Sequence, residues 1–361
     1  MPRLFDTFTL RGVTLRNRIG VSPMCQYSSE DGMATDWHLV HLGSRAVGGA
    51  GLVVCEATAV ERRGLISPQD AGLWCDRQIE PLARITRFIR EHGAVPGIQL
   101  AHAGRKAATF APFRGERSRR LTPEEGGWEC VGPSAVPFRA GDPPPHELTV
   151  AEIAEVQRSF RSAAIRAVDA GYLWLELHAA HGYLAHSFLT PIANRRADSY
   201  GGSLENRCRF VLETARTIRS VWPESLPFAV RLSATDWVEG GWTLDDSIAL
   251  SRRLAPEGVD LIDASSGNAV AGTTYHKFPG WQVTFAAAIR KEAQIPTAAV
   301  GGINSPAQAE TIVATGQADI VLLGERMLRD PYWPLHAAQE LGQFDRFTMP
   351  PPYDYVLRHP R

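Results

Sequence analysis

The chain has 361 residues, which at a prior of about 150 per domain would suggest two domains. With 38 Lys and Arg against 39 Asp and Glu, its formal charge is −1, which argues against a nucleic-acid binder and gives no polybasic reason to sit on a membrane. Apolar residues make up 44% and charged residues 21%, enough for a sizeable core and too little charge for a disordered, solvating chain.

The N-terminus, Met1-Pro2-Arg3-Leu4-Phe5-Asp6, lacks the basic-then-apolar pattern of a signal peptide. No apolar run approaches the roughly 20 residues that span a bilayer. A cytoplasmic protein is expected. Residues 1–17 hold two short strand-like runs around Arg11-Gly12, a hairpin or lid ahead of the main fold. Eight apolar, β-branched runs follow. They are Asn17–Pro23, Gly51–Ala57, Val95–Ala101, Tyr172–His178, Pro227–Leu232, Val259–Asp263, Pro296–Val300 and Asp319–Leu323. Helical patterns separate most of them. Ala151–Val168 carries apolar residues at 153, 156, 160, 164 and 168, one helix face, and Leu204–Val221 and Leu244–Leu254 read alike. Strands alternating with helices imply a parallel sheet. Eight units, with no G-x-G-x-x-G turn, favour a single (β/α)8 barrel over an open sheet.

A bare barrel takes about 250 residues, so roughly 110 remain. They fall in the N-terminal hairpin, a long Pro- and Gly-containing loop at 103–148, and a Pro-rich tail at 343–361. A loop of that length in a compact fold is usually functional. The whole chain, 1–361, is therefore expected to form one domain. The five cysteines, at 25, 55, 75, 130 and 208, are odd in number and form no C-x-x-C pair. That excludes a zinc ribbon, a local iron–sulfur run and a fully paired disulfide scaffold, and favours a reducing compartment.

In such a barrel the active site sits at the C-terminal ends of the strands. The polar residues there are Ser22, Cys25, Tyr27, Glu56, Gln99, His102, His178, His181, Tyr183 and Arg231. His178 and His181, with Tyr183 two residues on, can present two ring nitrogens and a phenol to one cavity. They can equally be metal ligands, with Glu56, Cys25 or His102 as a third. Gly301-Gly302 and Gly324 follow the last two strands, where such barrels build phosphate sites.

The segments Ser22-Pro23-Met24-Cys25-Gln26-Tyr27, Asp36-Trp37-His38, Glu56-Ala57-Thr58-Ala59-Val60, Gln99 through Lys106, His178 through Leu184 and Tyr200 through Arg207 together resemble the Old Yellow Enzyme family. Cys25 with Tyr27, and the short C-terminus, resemble its bacterial branch of thermophilic-like ene-reductases and xenobiotic reductases. The resemblance implies non-covalent FMN, with NADPH as reductant. Ser22, Pro23, Met24, Cys25, Ala57, Gln99 and Arg231 would surround the ring, with Cys25 tuning its potential and Gln99 on the pyrimidine edge. Gly301, Gly302, Gly324 and Arg326 would take the phosphate. His178 and His181 would bind the oxygen of an activated alkene, quinone or nitro compound, and Tyr27 would help to hold it. Hydride would come from flavin N5 and a proton from Tyr183. The family usually has Gly-Arg after the last strand. Here the order is Gly324-Glu325-Arg326, so either Arg326 reaches back or backbone N–H groups act while Glu325 turns to solvent. Residues 351–358 resemble a segment that relatives insert into a neighbouring active site, implying a homodimer or homotetramer with Arg358 or an aromatic reaching across. A metal-dependent barrel lyase or hydrolase, and a non-catalytic ligand carrier, are the competing readings.

Overall fold

The structure is a computed structural model that describes residue 1 and residues 3–113 and 119–357. The eight apolar runs form strands Ile19–Val21, Leu52–Ala59, Val95–Ala101, Trp174–Ala179, Phe228–Ser233, Leu261–Ser265, Thr297–Val300 and Ile320–Leu323. All eight pair in parallel with their chain neighbours, and the eighth closes on the first to make a barrel. The first strand is shorter than its apolar run. Asn17 uses its side chain instead, donating to Gly49 O (2.8 Å) and accepting from Ile19 N–H. Pro23 has no N–H to extend the ladder.

Helices cover the barrel where the periodicity predicts them. Val150–Asp169 buries Ile153, Val156, Phe160, Ala163, Ala164 and Ala167. Its start is fixed by a capping box, Thr149 N–H to Glu152 Oε2 (2.7 Å) and Glu152 N–H to Thr149 Oγ1 (3.2 Å). Leu204–Arg219 ends two residues before its predicted limit, and Leu244–Leu254 matches it.

The hairpin pairs Phe8–Leu10 with Val13–Leu15. It closes the N-terminal mouth of the barrel, because Gly12 N–H donates to Ser225 O ahead of strand five and Arg11 pairs with Asp260 ahead of strand six. Val13 and Leu15 pack there on Leu52, Val54, Val95, Trp174, Leu261 and Ile320. With its base filled, the barrel opens at its C-terminal end. The long loop after strand three holds short turns at Gly104–Lys106 and Pro123–Glu125, and a small parallel pair, Val131–Gly132 with His146–Glu147. The tail ends in helix Pro351–Leu357.

Candidate active site

Side chains alternate across a strand, so residues two apart share the barrel interior. Above Trp174, strand four places Glu176 and then His178. Above Ala229, strand five places Arg231 and then Ser233. Above Leu261, strand six places Asp263 and then Ser265. The register sets His178 beside Arg231 and Arg231 beside Asp263. Strand two would break this pattern. A bulge between Cys55 and Ala57 restores it, setting Ala57 opposite Gln99. The same bulge sends Glu56 to the helix side, where its carboxylate meets His38 Nε2 (3.1 Å).

The interior is thus apolar at the base and charged above it. Arg231 lies 3.1 Å from Asp263 and donates to Ser22 Oγ (3.2 Å). Gln99 donates its amide to Glu176 Oε1 (2.7 Å), which fixes the amide's orientation. Burial raises both Glu176 and Asp263 above the usual carboxylate range, against the pull of Arg231. Arg231 Nε and both Asp263 oxygens are buried without an aligned hydrogen bond. Such atoms are costly unless a further polar partner meets them.

His178, His181 and Tyr183 come together over this layer. The His178 ring lies 5.1 Å from His181 and 4.9 Å from Tyr183, edge-on to both. Ala180 N–H donates to His178 Nδ1 (3.2 Å), so Nε2 carries the proton. His181 Nε2 meets Ser265 Oγ (2.7 Å), and its N–H donates to Ser233 Oγ (2.9 Å). His181 has φ +59, a left-handed backbone costing about 1–2 kcal/mol. Three bonds hold it there. One is the Ser233 bond, and another is Lys106 Nζ on its carbonyl (2.7 Å). The third is Gly182 N–H to the buried His186 (2.8 Å), which rests on Asp236 (3.0 Å). Burial, then Arg231, pushes both imidazoles well below their ordinary value, so they are neutral donors at neutral pH. Burial pushes the Tyr183 phenol well above its ordinary value, so it keeps its proton.

The turn after strand one brings Met24, Cys25 and Tyr27 to the same mouth. Glu56 Oε2 accepts from Gln26 N–H (2.8 Å) and anchors the turn, in which Tyr27 has φ +51. Burial, with Asp70 and Glu56 nearby, raises the Cys25 thiol well above its usual value, so it is a thiol rather than a thiolate.

Beyond the ring of strands, a cavity of about 450 Å³ is lined by Gly301, Gly302, Asn304, Gly324 and Arg326. Gly301 and Gly302 have φ +97 and +66, and a Cβ on Gly302 would come within 2.8 Å of Phe278 O. Only glycine fits such a cradle. Arg326 faces the cavity, with Nε 3.4 Å from Asn304. Glu325 is exposed and bound to Arg329 (2.6 Å). The carboxylate at the unexpected position thus borders the cavity, paired with Arg329. These features suit a flavin mononucleotide: a glycine cradle for its phosphate, and an unmatched Arg231 beside an oriented Gln99 for its ring.

Two of the side chains considered as a third metal ligand are engaged elsewhere. Glu56 faces His38, and His102 faces Glu61 (2.9 Å). Among the described residues no three His, Cys, Asp or Glu converge to hold a metal. Arg358 lies outside the described residues. Sequence reading missed Lys106, Glu176, Asp263, Ser233, Ser265 and the His186–Asp236 pair. Period-two alternation continued past Arg231 would have pointed to Ser233.

A family model described as the NADH:flavin oxidoreductase / NADH oxidase family matches residues 3–343. The NADPH dehydrogenase of Geobacillus sp. (strain WCH70) is 47% identical over 341 residues, covering 94% of each chain. Among solved structures, a 2-naphthoyl-CoA reductase complex superposes with a TM-score of 0.84 at 26% identity; it covers 95% of this chain, which spans about half (53%) of that one. Morphinone reductase superposes with a TM-score of 0.78 at 25% identity, covering 94% of this chain and 90% of its own. The chain belongs to the NADH:flavin oxidoreductase / NADH oxidase family.

Proposed function

We propose that this oxidoreductase holds FMN non-covalently, takes reducing equivalents from NADPH and reduces the C=C bond of α,β-unsaturated carbonyl or nitro compounds. The observation that carries the reading is the convergence of two neutral imidazoles and a protonated phenol over a buried arginine, with ring centroids about 5 Å apart. Bound FMN supplies the hydride chemistry.

The protein's own residues do the rest. His178 Nε2–H donates to the carbonyl or nitro oxygen, and His181 faces the same atom. These donors stabilise the charge that develops on that oxygen. Tyr183 gives its proton to the α-carbon as general acid. Tyr27 holds the substrate's far side. Arg231 supplies fixed positive charge at the pyrimidine end of the ring, and Gln99 accepts from the ring's N–H. Pro23, Met24, Cys25 and Ala57 line the ring, and the neutral Cys25 thiol tunes it without adding charge. Gly301, Gly302, Gly324 and Arg326 hold the phosphate.

The test is anaerobic. The purified protein should be yellow and release FMN on denaturation. NADPH should bleach it, and cyclohexenone should restore the colour and be saturated. A colourless protein carrying metal would contradict the reading.

We further propose a homodimer or homotetramer in the cytoplasm, with the tail reaching a neighbouring active site. Helix Pro351–Leu357 leaves Tyr353, Tyr355, Val356 and Leu357 exposed. Free cysteines suit a reducing compartment, and no described helix is long and apolar enough to cross a membrane. Deleting residues 350–361 should raise the substrate KM, and an unaltered KM would count against the tail's role.

A further inference from the structure

A second cavity, of about 300 Å³, adjoins the site through Tyr27 and Tyr183, which both line it. Its walls come mainly from the loops after strands three and six. Arg105, Lys106, Arg120 and Arg139 line it, against Asp142 as the one carboxylate among its described lining residues.

These cations are held close together. Phe138 gathers three of them, with Lys106 Nζ 4.4 Å, Arg139 5.4 Å and Arg105 5.7 Å from its ring centre. Lys106 is also 5.1 Å from the Tyr183 ring. Neutral carbonyls meet the two deepest, leaving Arg105 Nε buried without a partner. Arg105 donates to Val136, Pro137 and Ala269, and Lys106 to His181 and Asn268. Those bonds fix geometry but cancel no charge. Arg120 keeps one Nη1 buried with no hydrogen-bond partner. Burial, and the charges of Arg105 and Arg139, bring the Lys106 ammonium down to about 7. Like charges in a low-dielectric concavity repel one another and concentrate anions. The space equals the liquid share of about ten waters, enough for an oxyanion and a few linking atoms.

We propose that this cavity binds a phosphate or carboxylate group carried by the molecule that docks against Tyr183. The inference rests on the functional reading above. Two carriers share the chemistry: a phosphate of the nicotinamide reductant, or a carboxylate on the unsaturated substrate. Arg120 and Arg139 select for that charge, and the neutral part of the carrier lies toward His178 and His181.

The test uses the flavin-loaded protein and the double variant Arg120→Ala/Arg139→Ala, with Arg120→Lys/Arg139→Lys as a charge-preserving control. Inorganic pyrophosphate binding is measured by calorimetry. Flavin reduction is followed with NADPH and with NADH, and reoxidation with cyclohexenone and with a carboxylate-bearing enone. The alanine variant should bind pyrophosphate about tenfold more weakly, and the lysine control should retain binding. The same variant should raise KM about tenfold toward one anionic carrier, with kcat and cyclohexenone unaffected. A loss on NADPH, alone or together with NADH, identifies the reductant as carrier, and a loss on the carboxylate enone alone identifies the substrate. Absent pyrophosphate binding in the parent, or equal binding and equal KM values in the folded alanine variant, overturns the proposal. Loss of pyrophosphate binding in a protein that reduces no alkene would retain the anion site and overturn the ene-reductase reading instead.

Discussion

Proton placement decides what the central residues can do. His178 carries its proton on Nε2 because Ala180 N–H occupies Nδ1. Its neutrality follows from burial beside Arg231. The same burial raises Glu176, and the sign of its effect on stability follows. A carboxyl whose folded pKa lies above its unfolded value of 4.5 stabilises most fully below that value. That contribution is lost as pH rises through the folded pKa. The protein without its cofactor should therefore lose thermal stability between about pH 5 and about pH 8, and Glu176→Gln should flatten that slope. Calorimetric Tm values at both ends check this, and parallel slopes for parent and variant would refute it. His178, His181, Tyr183 and Arg231 were legible in the sequence because each falls at a strand end. Glu176 and Asp263 were not, because a lone acid inside an apolar run carries no sign of which group it will face.

At the scale of elements, strand two and the turn after strand eight contribute most to the site. The bulge in strand two brings Ala57 inward and gives Glu56 to the helix and the Cys25 turn. A bulge is invisible in the sequence, since it depends on register with the neighbouring strand. Helix periodicity, by contrast, located Val150–Asp169 and Leu244–Leu254 to within a residue. After strand eight, the sequence marked Gly324-Glu325-Arg326 as the anomaly but left two resolutions open. In three dimensions Glu325 and Arg326 both line the cavity, and Glu325 is paired with Arg329. Arg326→Ala should weaken FMN binding about tenfold, the usual scale for a lost charged hydrogen bond. Glu325→Ala should leave FMN affinity unchanged. Fluorescence titration of the cofactor-free protein with FMN measures both. An unchanged Kd for Arg326→Ala would return the phosphate to the glycine backbone alone.

For the whole molecule, the near-neutral sum of charges conceals a segregated distribution. The base of the barrel is sealed by the hairpin and an apolar layer, and Gln99, Glu176, Arg231 and Asp263 lie above it toward the other mouth. Arg231 occupies its floor, and Lys106 with three arginines occupies one wall. A net charge of −1 therefore coexists with a locally positive site suited to an anionic cofactor and to substrates that gain negative charge as they react. In the proposed reaction Tyr183 delivers the proton to the alkene and takes no part in flavin reduction. Stopped-flow measurement of both half-reactions in Tyr183→Phe tests it most directly. Flavin reduction by NADPH should proceed at the parent rate, while reoxidation by cyclohexenone should slow by about 10²–10⁴-fold, the range for loss of a general acid. Parent-like reoxidation would exclude Tyr183 as the proton donor.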